Sequence, residues 1–500
     1  MLLKRRKFNC KTVVFILCLF SLILHSCELL DIPDYSRYPK GTRKFWARNF
    51  SSNKYYEITA DLLAEGAHCN IWVERGCGVD KVTAQIIAGE YDNKVYPKMI
   101  NAFGFEDDYG LNTMEWADLY GNNDGKLCIL LLDIKDSYKK GVNDSYVAGY
   151  FWAADLYENI PHNQYYRYSN ECDMIYVDTN PGKPNSPESY KTIAHEMQHL
   201  MNYITSAVKR NNGSQYVNQM DIWVDEGLSS AAEWVYCGEH GEERVKSYNS
   251  SSMGLTNLGN NFFVWGNREN ESQYAILDDY DTVYFFFQWL RLQSGTVNIY
   301  KDIIFSQYGD YRAVTNAFGY NDSWDALLKT WLAANYINAS SGLYGYKDEL
   351  VLKDIKAPYV PSEEETISLY PGEGVYSIAT SFPVPASSGN IRYAGLVKDV
   401  PGNLVDSGSF SNGALLTYNV NTVKSGNGII ETGTITGVTP PAETGAAAAF
   451  AGSRAAQGGS RGPFPISAAD MLGQSGHESG FFPGTVKFLK GSAGNEIAPE

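Results

Sequence analysis

Residues 191–203 read K-T-I-A-H-E-M-Q-H-L-M-N-Y, and three of these side chains have the types and spacing for metal-assisted hydrolysis. On a helix, residues four apart share a face, so His195 and His199 can present two imidazoles to one ion. Glu196, beside the first of them, is placed to accept a proton from a water held by that ion. Ile193, Ala194, Met197, Leu200 and Met201 recur at helical spacing and predict a helix buried along one side. Two of only seven histidines in the 500 residues fall here, which favours chemistry over coincidence.

A second stretch, 221–236, reads D-I-W-V-D-E-G-L-S-S-A-A-E-W-V-Y. Leu228, Ala231, Ala232 and Val235 keep helical register behind Glu226, so this carboxylate can sit on a second helix facing the first. A catalytic zinc takes three protein ligands and keeps one position open for water, and His195, His199 and Glu226 make such a set. Glu233 lies two turns along the same face. It is either the carboxylate that steadies a ligand imidazole or a surface glutamate.

The elements that must position these groups are legible around them. Residues 58–74 read as a strand, a glycine-containing turn and a second strand, with His68 just before the second strand structural, and 79–96 as a helix. Residues 122–134, N-N-D-G-K-L-C-I-L-L-L-D-I, are a turn followed by a continuously apolar strand that belongs at the centre of a sheet, covered on both faces. Residues 147–152 and 172–178 read as further strands, and the loop T-N-P-G-K-P-N-S-P delivers the chain to the histidine helix. The result is an α+β half-domain in which an edge strand can hold an extended peptide. Helical periods at 280–290, 297–305 and 324–337 predict a mainly helical second lobe. From 350 to 435 short apolar runs alternate with Pro, Gly and Ser turns, the pattern of a small β-sandwich. Residues 440–463 are low-complexity, and His477-Glu478 lacks a second histidine and is discounted as metal chemistry.

Composition narrows the partners. With 41 basic and 57 acidic residues the net charge is -16, which excludes nucleic acid as an expected partner. A basic N-terminus precedes an apolar run at 13–24, the form of a secretory signal and too short for a confident membrane span. It ends Leu24-His25-Ser26-Cys27, which resembles a bacterial lipoprotein processing box. An exported cell-envelope protein held to the membrane through a lipidated Cys27 is the expectation; an ordinary signal peptide or an uncleaved anchor is the alternative. Removing Cys10 and Cys18 with the signal and assigning Cys27 to lipid leaves Cys69, Cys77, Cys128, Cys172 and Cys237. That odd number keeps at least one thiol outside any disulfide. Cys69 with Cys77 is a candidate local bridge, and buried apolar packing is the competing reading.

The pair H-E-x-x-H (His195 to His199) and W-x-x-E-G (Trp223 to Gly227), with Glu233 beyond, resembles the gluzincin metallopeptidases. The wider context is similar to the hyicolysin family of secreted bacterial zinc peptidases. It comprises Gly125-Lys126 leading into I-L-L-L-D, then V-A-G-Y-F, S-N-E-C-D-M-I-Y-V-D, A-H-E-M-Q-H-L and V-D-E-G-L-S, within residues 55–340. The resemblance implies a two-lobed zinc endopeptidase acting on protein or peptide substrates. Its ligands are His195, His199 and Glu226, its general base is Glu196, and a tyrosine or histidine of the second lobe steadies the intermediate. Tyr280 matches the family's tyrosine block; Tyr284, four residues on, and His240 are the other candidates, and among 36 tyrosines many only pack. Lipidation is not a general trait of that family.

The expected organisation is a signal peptide with processing box (1–27) and a tether or arm (28–54). Then follow an N-terminal α+β catalytic lobe (55–210), a mainly helical catalytic lobe (211–345), a β-rich accessory domain (346–438) and a low-complexity tail (439–500). Two other function classes share the motif. A zinc-binding surface protein or adhesin would bind the ion without turnover, although an intact Glu196 argues against that. A zinc hydrolase of a non-peptide amide or glycan-bearing substrate would differ in what it cleaves.

Overall fold

A computed structural model describes residues 41–104, 125–143, 145–209, 220–241, 262–265, 275–349, 359–360, 366–397, 404–406, 408–423, 431–434 and 485–490, with Arg244, Val245, Tyr248 and Leu352 between them. The N-terminal signal with Cys10, Cys18 and Cys27, the segment 440–463, and His477 with Glu478 lie outside the described residues. The described residues from Lys44 onward belong to one compact unit.

The chain enters through strands β1 (Thr42–Asn49), β2 (Lys54–Glu65) and β3 (Cys69–Glu74), then helices α1 (Lys81–Glu90) and α2 (Tyr96–Phe103). Strands β4 (Leu127–Leu132), β5 (Ser145–Phe151) and β6 (Met174–Asp178) lead to α3 (Pro187–Tyr203) and α4 (Ile222–Cys237). Four further helices follow: α5 (Ala275–Ser294), α6 (Asn298–Ile304), α7 (Tyr311–Ala317) and α8 (Trp324–Ile337). The helices expected in the second lobe are α5, α6 and α8; α7 is an addition, capped by the Asp310 carboxylate on the Arg312 N–H at 2.9 Å.

The first sheet is ordered β1-β2-β3-β4-β6-β5-β14, where β14 is Thr485–Lys490. Its central strand behaves as its apolar run predicts. Leu127, Ile129 and Leu131 of β4 point into one core with α1, α3 and α4, whereas Cys128, Leu130 and Leu132 point into a second core on the opposite face. That second core is closed partly by Phe45, Ala47 and Phe50, so the stretch read as an arm carries β1 and supplies cover for the sheet. Strands β3, β4 and β6 are mutually parallel, and β5 runs antiparallel to β6. The outer edge of β5 carries β14, again antiparallel.

No disulfide joins Cys69, Cys77, Cys128, Cys172 or Cys237, so the candidate Cys69–Cys77 bridge is not formed, and Cys69, Cys128 and Cys172 are buried in the apolar cores on the two faces of the sheet. No helix among the described residues is long and apolar enough to cross a membrane.

The C-terminal region is β-rich. Strands β7 (Tyr359–Val360), β9 (Gly374–Val384), β10 (Ile391–Leu396), β11 (Leu404–Val405) and β12 (Gly408–Asn419) form a five-stranded sheet. A two-stranded sheet joins β8 (Thr366–Leu369) to β13 (Glu431–Thr434). The larger sheet is fastened to α8: the Tyr418 hydroxyl donates to Asp325 at 2.8 Å, the Tyr376 hydroxyl donates to the Leu332 carbonyl, and Leu396, Leu416 and Tyr418 share the helical core.

Two close approaches set the site. Strand β5 runs so near α3 that a Cβ on Gly149 would stand 2.6 Å from Thr192 Cγ2 and 2.8 Å from the Tyr176 carbonyl oxygen. Helix α4 meets α5 at Gly227, where a Cβ would fall 2.3 Å from Phe287 Cε2. Replacing Gly227 by Ala improves intrinsic helix propensity by about 1 kcal/mol. It also forces a buried phenylalanine aside, an overpacking that costs about 1–3 kcal/mol. Gly227→Ala is therefore expected to lower the urea-denaturation midpoint; a midpoint at or above the parental value would mean that the α4–α5 spacing is slack.

Candidate metal centre

Helix α3 starts where the loop after β6 is folded back on itself. The Asp178 carboxylate accepts the backbone N–H groups of Ile134 (3.0 Å), Asn180 (2.9 Å) and Gly182 (2.9 Å), holding the loop against the ends of β4 and β6. Ser186 then caps the helix, its hydroxyl accepting from the Ser189 N–H at 3.3 Å, and Pro187 occupies the first turn. Helix α4 is anchored from the other side by Trp223, which packs edge-on against Phe262, Phe263, Phe286 and Phe287. Each helix is fixed to a different layer, and their facing sides enclose the polar residues.

There His195, His199 and Glu226 converge, each almost fully buried, with one ligand atom apiece lying within 4.8 Å of the others. Glu226 Oε2 stands 3.4 Å from His195 Nε2 and 3.5 Å from His199 Nε2. These separations are long for hydrogen bonds, and all three atoms are buried without a hydrogen-bond partner. Two ligand atoms about 2.0–2.1 Å from a zinc ion at the tetrahedral angle lie about 3.4 Å apart, so the cluster has the dimensions of one zinc site. The donor set fits as well: two imidazole nitrogens and one carboxylate leave a fourth position for water or substrate.

The far nitrogen of each imidazole is held. His195 Nδ1 donates to Glu233 Oε1 at 3.0 Å. His199 Nδ1 lies 3.1 Å from Asp225 Oδ2 and 2.9 Å from Ser229 Oγ. A carboxylate accepting the Nδ1 proton leaves the Nε2 lone pair facing the ion and fixes the ring plane. Glu233 is thus buried beside a ligand, one of the two roles its spacing allowed. Asp225 and Ser229 are absent from the sequence reading, yet they sit four apart on α4 and flank Glu226, a pattern the same helical arithmetic exposes. Asn202 of α3 donates to Asp225, and the Ser229 hydroxyl donates to Gln198.

Charge follows from this packing. Burial disfavours a charged His199, but the Asp225 and Glu226 carboxylates outweigh it and hold the imidazole well above its ordinary value of 6.5. Burial likewise opposes an ionised Glu226, and the His199 and His195 imidazoles overcome it, bringing the carboxyl down to about 2.

Glu196 is fully buried in the same turn of α3, and its Cγ would lie 3.3 Å from a Cβ on Gly149 of β5. Tyr280 of α5 places its ring 6.4 Å from that of His195 and hydrogen-bonds through its hydroxyl to Glu226. Burial first, then the Glu226 and Glu196 charges, push its phenol far above 10 and keep it protonated. The other two candidates point elsewhere. The His240 side chain is 5% exposed, with Nδ1 2.6 Å from the Tyr284 hydroxyl and Nε2 2.6 Å from Glu349. The Tyr284 hydroxyl is thereby engaged with His240, and polar loop composition concealed this because Glu349 comes from far along the chain. His68 stacks on Tyr96 at 3.8 Å, as a structural histidine does.

A site of two imidazoles, one carboxylate and one open position suits hydrolysis, and the two-lobed α+β body that supplies it, followed by a β-rich domain, has the fold and donor set of a gluzincin-like zinc-dependent peptidase. No family model matches the sequence. The chain is similar to the neutral metalloprotease ShpI of Staphylococcus hyicus, with 29% identity over 353 residues, or 68% of this chain and 72% of that protein.

The elevated His199 gives a measurable consequence. Because its carboxylate neighbours favour the charged imidazole, zinc reaching Nε2 of the chelator-treated protein is expected to displace a proton from His199. Zinc loading should release about one proton per ion at pH 7, seen as a buffer-dependent enthalpy in calorimetry, and affinity should weaken as pH falls toward 5. A zinc affinity constant from pH 5 to 7 would contradict this.

Proposed function

We propose that the chain is an exported bacterial endopeptidase, akin to the hyicolysin family, that hydrolyses internal peptide bonds outside the cytoplasm. The observation that carries this reading is the convergence of His195 Nε2, His199 Nε2 and Glu226 Oε2 at zinc-ligand separations beside a buried Glu196. In this reading residues 55–210 and 211–345 are the two catalytic lobes and 346–438 an accessory domain. The signal sequence and Cys27 direct export and attachment to the cell envelope. The similarity to ShpI supports a protein or peptide as substrate.

Zinc, when bound by His195, His199 and Glu226, polarises the scissile carbonyl and makes water acidic enough to deprotonate near neutrality. The Glu196 carboxylate accepts the proton of the attacking water and passes it to the leaving amine nitrogen. The Tyr280 hydroxyl, kept protonated by its surroundings, donates a hydrogen bond to the oxyanion as the carbonyl becomes tetrahedral. Strand β5 passes alongside Glu196, and its outer edge is taken by β14, so an extended substrate backbone would pair there only in place of β14. The dry surroundings of the ligands strengthen each of these electrostatic contacts relative to water.

Glu196→Gln separates the base from the ligands. It is expected to retain one zinc per chain and the parental thermal midpoint while lowering casein hydrolysis by about 10²–10⁴-fold; cleavage at the parental rate would remove Glu196 from the mechanism. Tyr280→Phe should keep zinc and KM and lower kcat by about 10²–10³-fold. An unchanged kcat would transfer the oxyanion role to another group.

A further inference from the structure

Next to the metal cluster, one cation sits where α4 and α5 meet. The Arg244 side chain is 20% exposed, and its guanidinium touches both helices. Nη2 lies 3.3 Å from Glu233 Oε2, Nη1 lies 3.7 Å from Asp281 Oδ1, and Cζ sits 4.4 Å from the centre of the Tyr284 ring. Glu233 belongs to α4, and its other oxygen holds His195 Nδ1 at 3.0 Å. Asp281 and Tyr284 belong to α5, where Asp281 directly follows Tyr280. The guanidinium is therefore one hydrogen bond from a ligand imidazole's partner on one side and one residue from the catalytic tyrosine on the other.

Glu233 and Asp281 are 8% and 6% exposed, and two carboxylates this buried repel each other across the helix interface unless a cation separates them. A guanidinium is suited to that place because its rigid fork can engage two acceptors at once while its face rests on an aromatic ring. An ammonium group offers a single centre on a flexible stem. With Oε2 engaged by Arg244, the Glu233 carboxylate has no freedom to rotate away from His195, and the imidazole plane is fixed.

We propose that Arg244 is a positioning residue of the metal site: it clamps Glu233 on α4 to Asp281 on α5, and so fixes both the His195 imidazole and the placement of Tyr280 relative to it. This role rests on the zinc assignment above and is independent of whether the substrate is a peptide.

The test uses the mature full-length protein and the variants Arg244→Met, Arg244→Lys and Glu233→Gln. Zinc dissociation is read by competition with a colorimetric chelator, and site geometry by the visible absorption of the Co2+-substituted protein. Arg244→Met should weaken zinc binding by about 10–100-fold and shift the cobalt bands. Its kcat should fall with little change in KM. Arg244→Lys should recover part of the affinity, and the effects of Arg244→Met and Glu233→Gln should be strongly non-additive because they act through one carboxylate. Parental zinc affinity and cobalt spectrum in Arg244→Met, with only a lowered thermal midpoint, would overturn the proposal by making Arg244 a packing residue. Should Arg244→Met fail to fold, Arg244→Lys decides alone: weakened zinc binding with a shifted cobalt spectrum supports the clamp, and parental values overturn it. A parent that binds zinc but cleaves no protein would end the peptidase reading while leaving the zinc-affinity comparison intact.

Discussion

Two imidazoles and a carboxylate must be kept within ligand distance of one another in a buried space. Such groups do not gather there unaided: each loses hydration on burial, and the separations of 3.4 and 3.5 Å are too long for mutual hydrogen bonds to repay it. The arrangement survives because the helices that carry them are fixed from outside. Helix α3 is pinned by the Asp178 loop and by the tight passage of β5 at Gly149; α4 is pinned by the Trp223 aromatic cluster and by the Gly227–Phe287 contact. Apolar packing on the outer faces thus supplies the stability that the inner faces forgo.

The same logic orders the polar residues around the ligands. Glu233 holds His195, Asp225 and Ser229 hold His199, and Arg244 and Asn202 hold those carboxylates in turn. Every step outward brings in a residue from a different segment, so the ion's geometry depends on how three helices lie against each other. Tyr280 shares this dependence, since α5 both packs on α4 and brings the phenol to Glu226.

The β-rich C-terminal region is joined to the catalytic body through α8, with Tyr376, Leu396, Leu416 and Tyr418 in the core of the helical lobe. Burial of these side chains gives the helical lobe an apolar partner. The region therefore has a structural part in holding α8, whatever else it contacts.

Much of this was legible in the chain itself. The i, i+4 histidines, the glutamate that opens the next apolar helix, and the continuously apolar strand at 127–132 are local patterns, and backbone periodicity alone translates them into faces. Even Asp225 and Ser229 obey that arithmetic. The burial of His240 between Tyr284 and Glu349, and the meeting of Arg244 with Glu233 and Asp281, were not legible. Each joins residues whose separation along the chain carries no period. The amino-acid order settled which side of each helix would face inward, because that depends on a rise and a turn per residue. Which inward faces would meet, and at what distance, was left to the folded molecule, where the volume of rings such as Phe287 and Trp223 sets how near two helices can come.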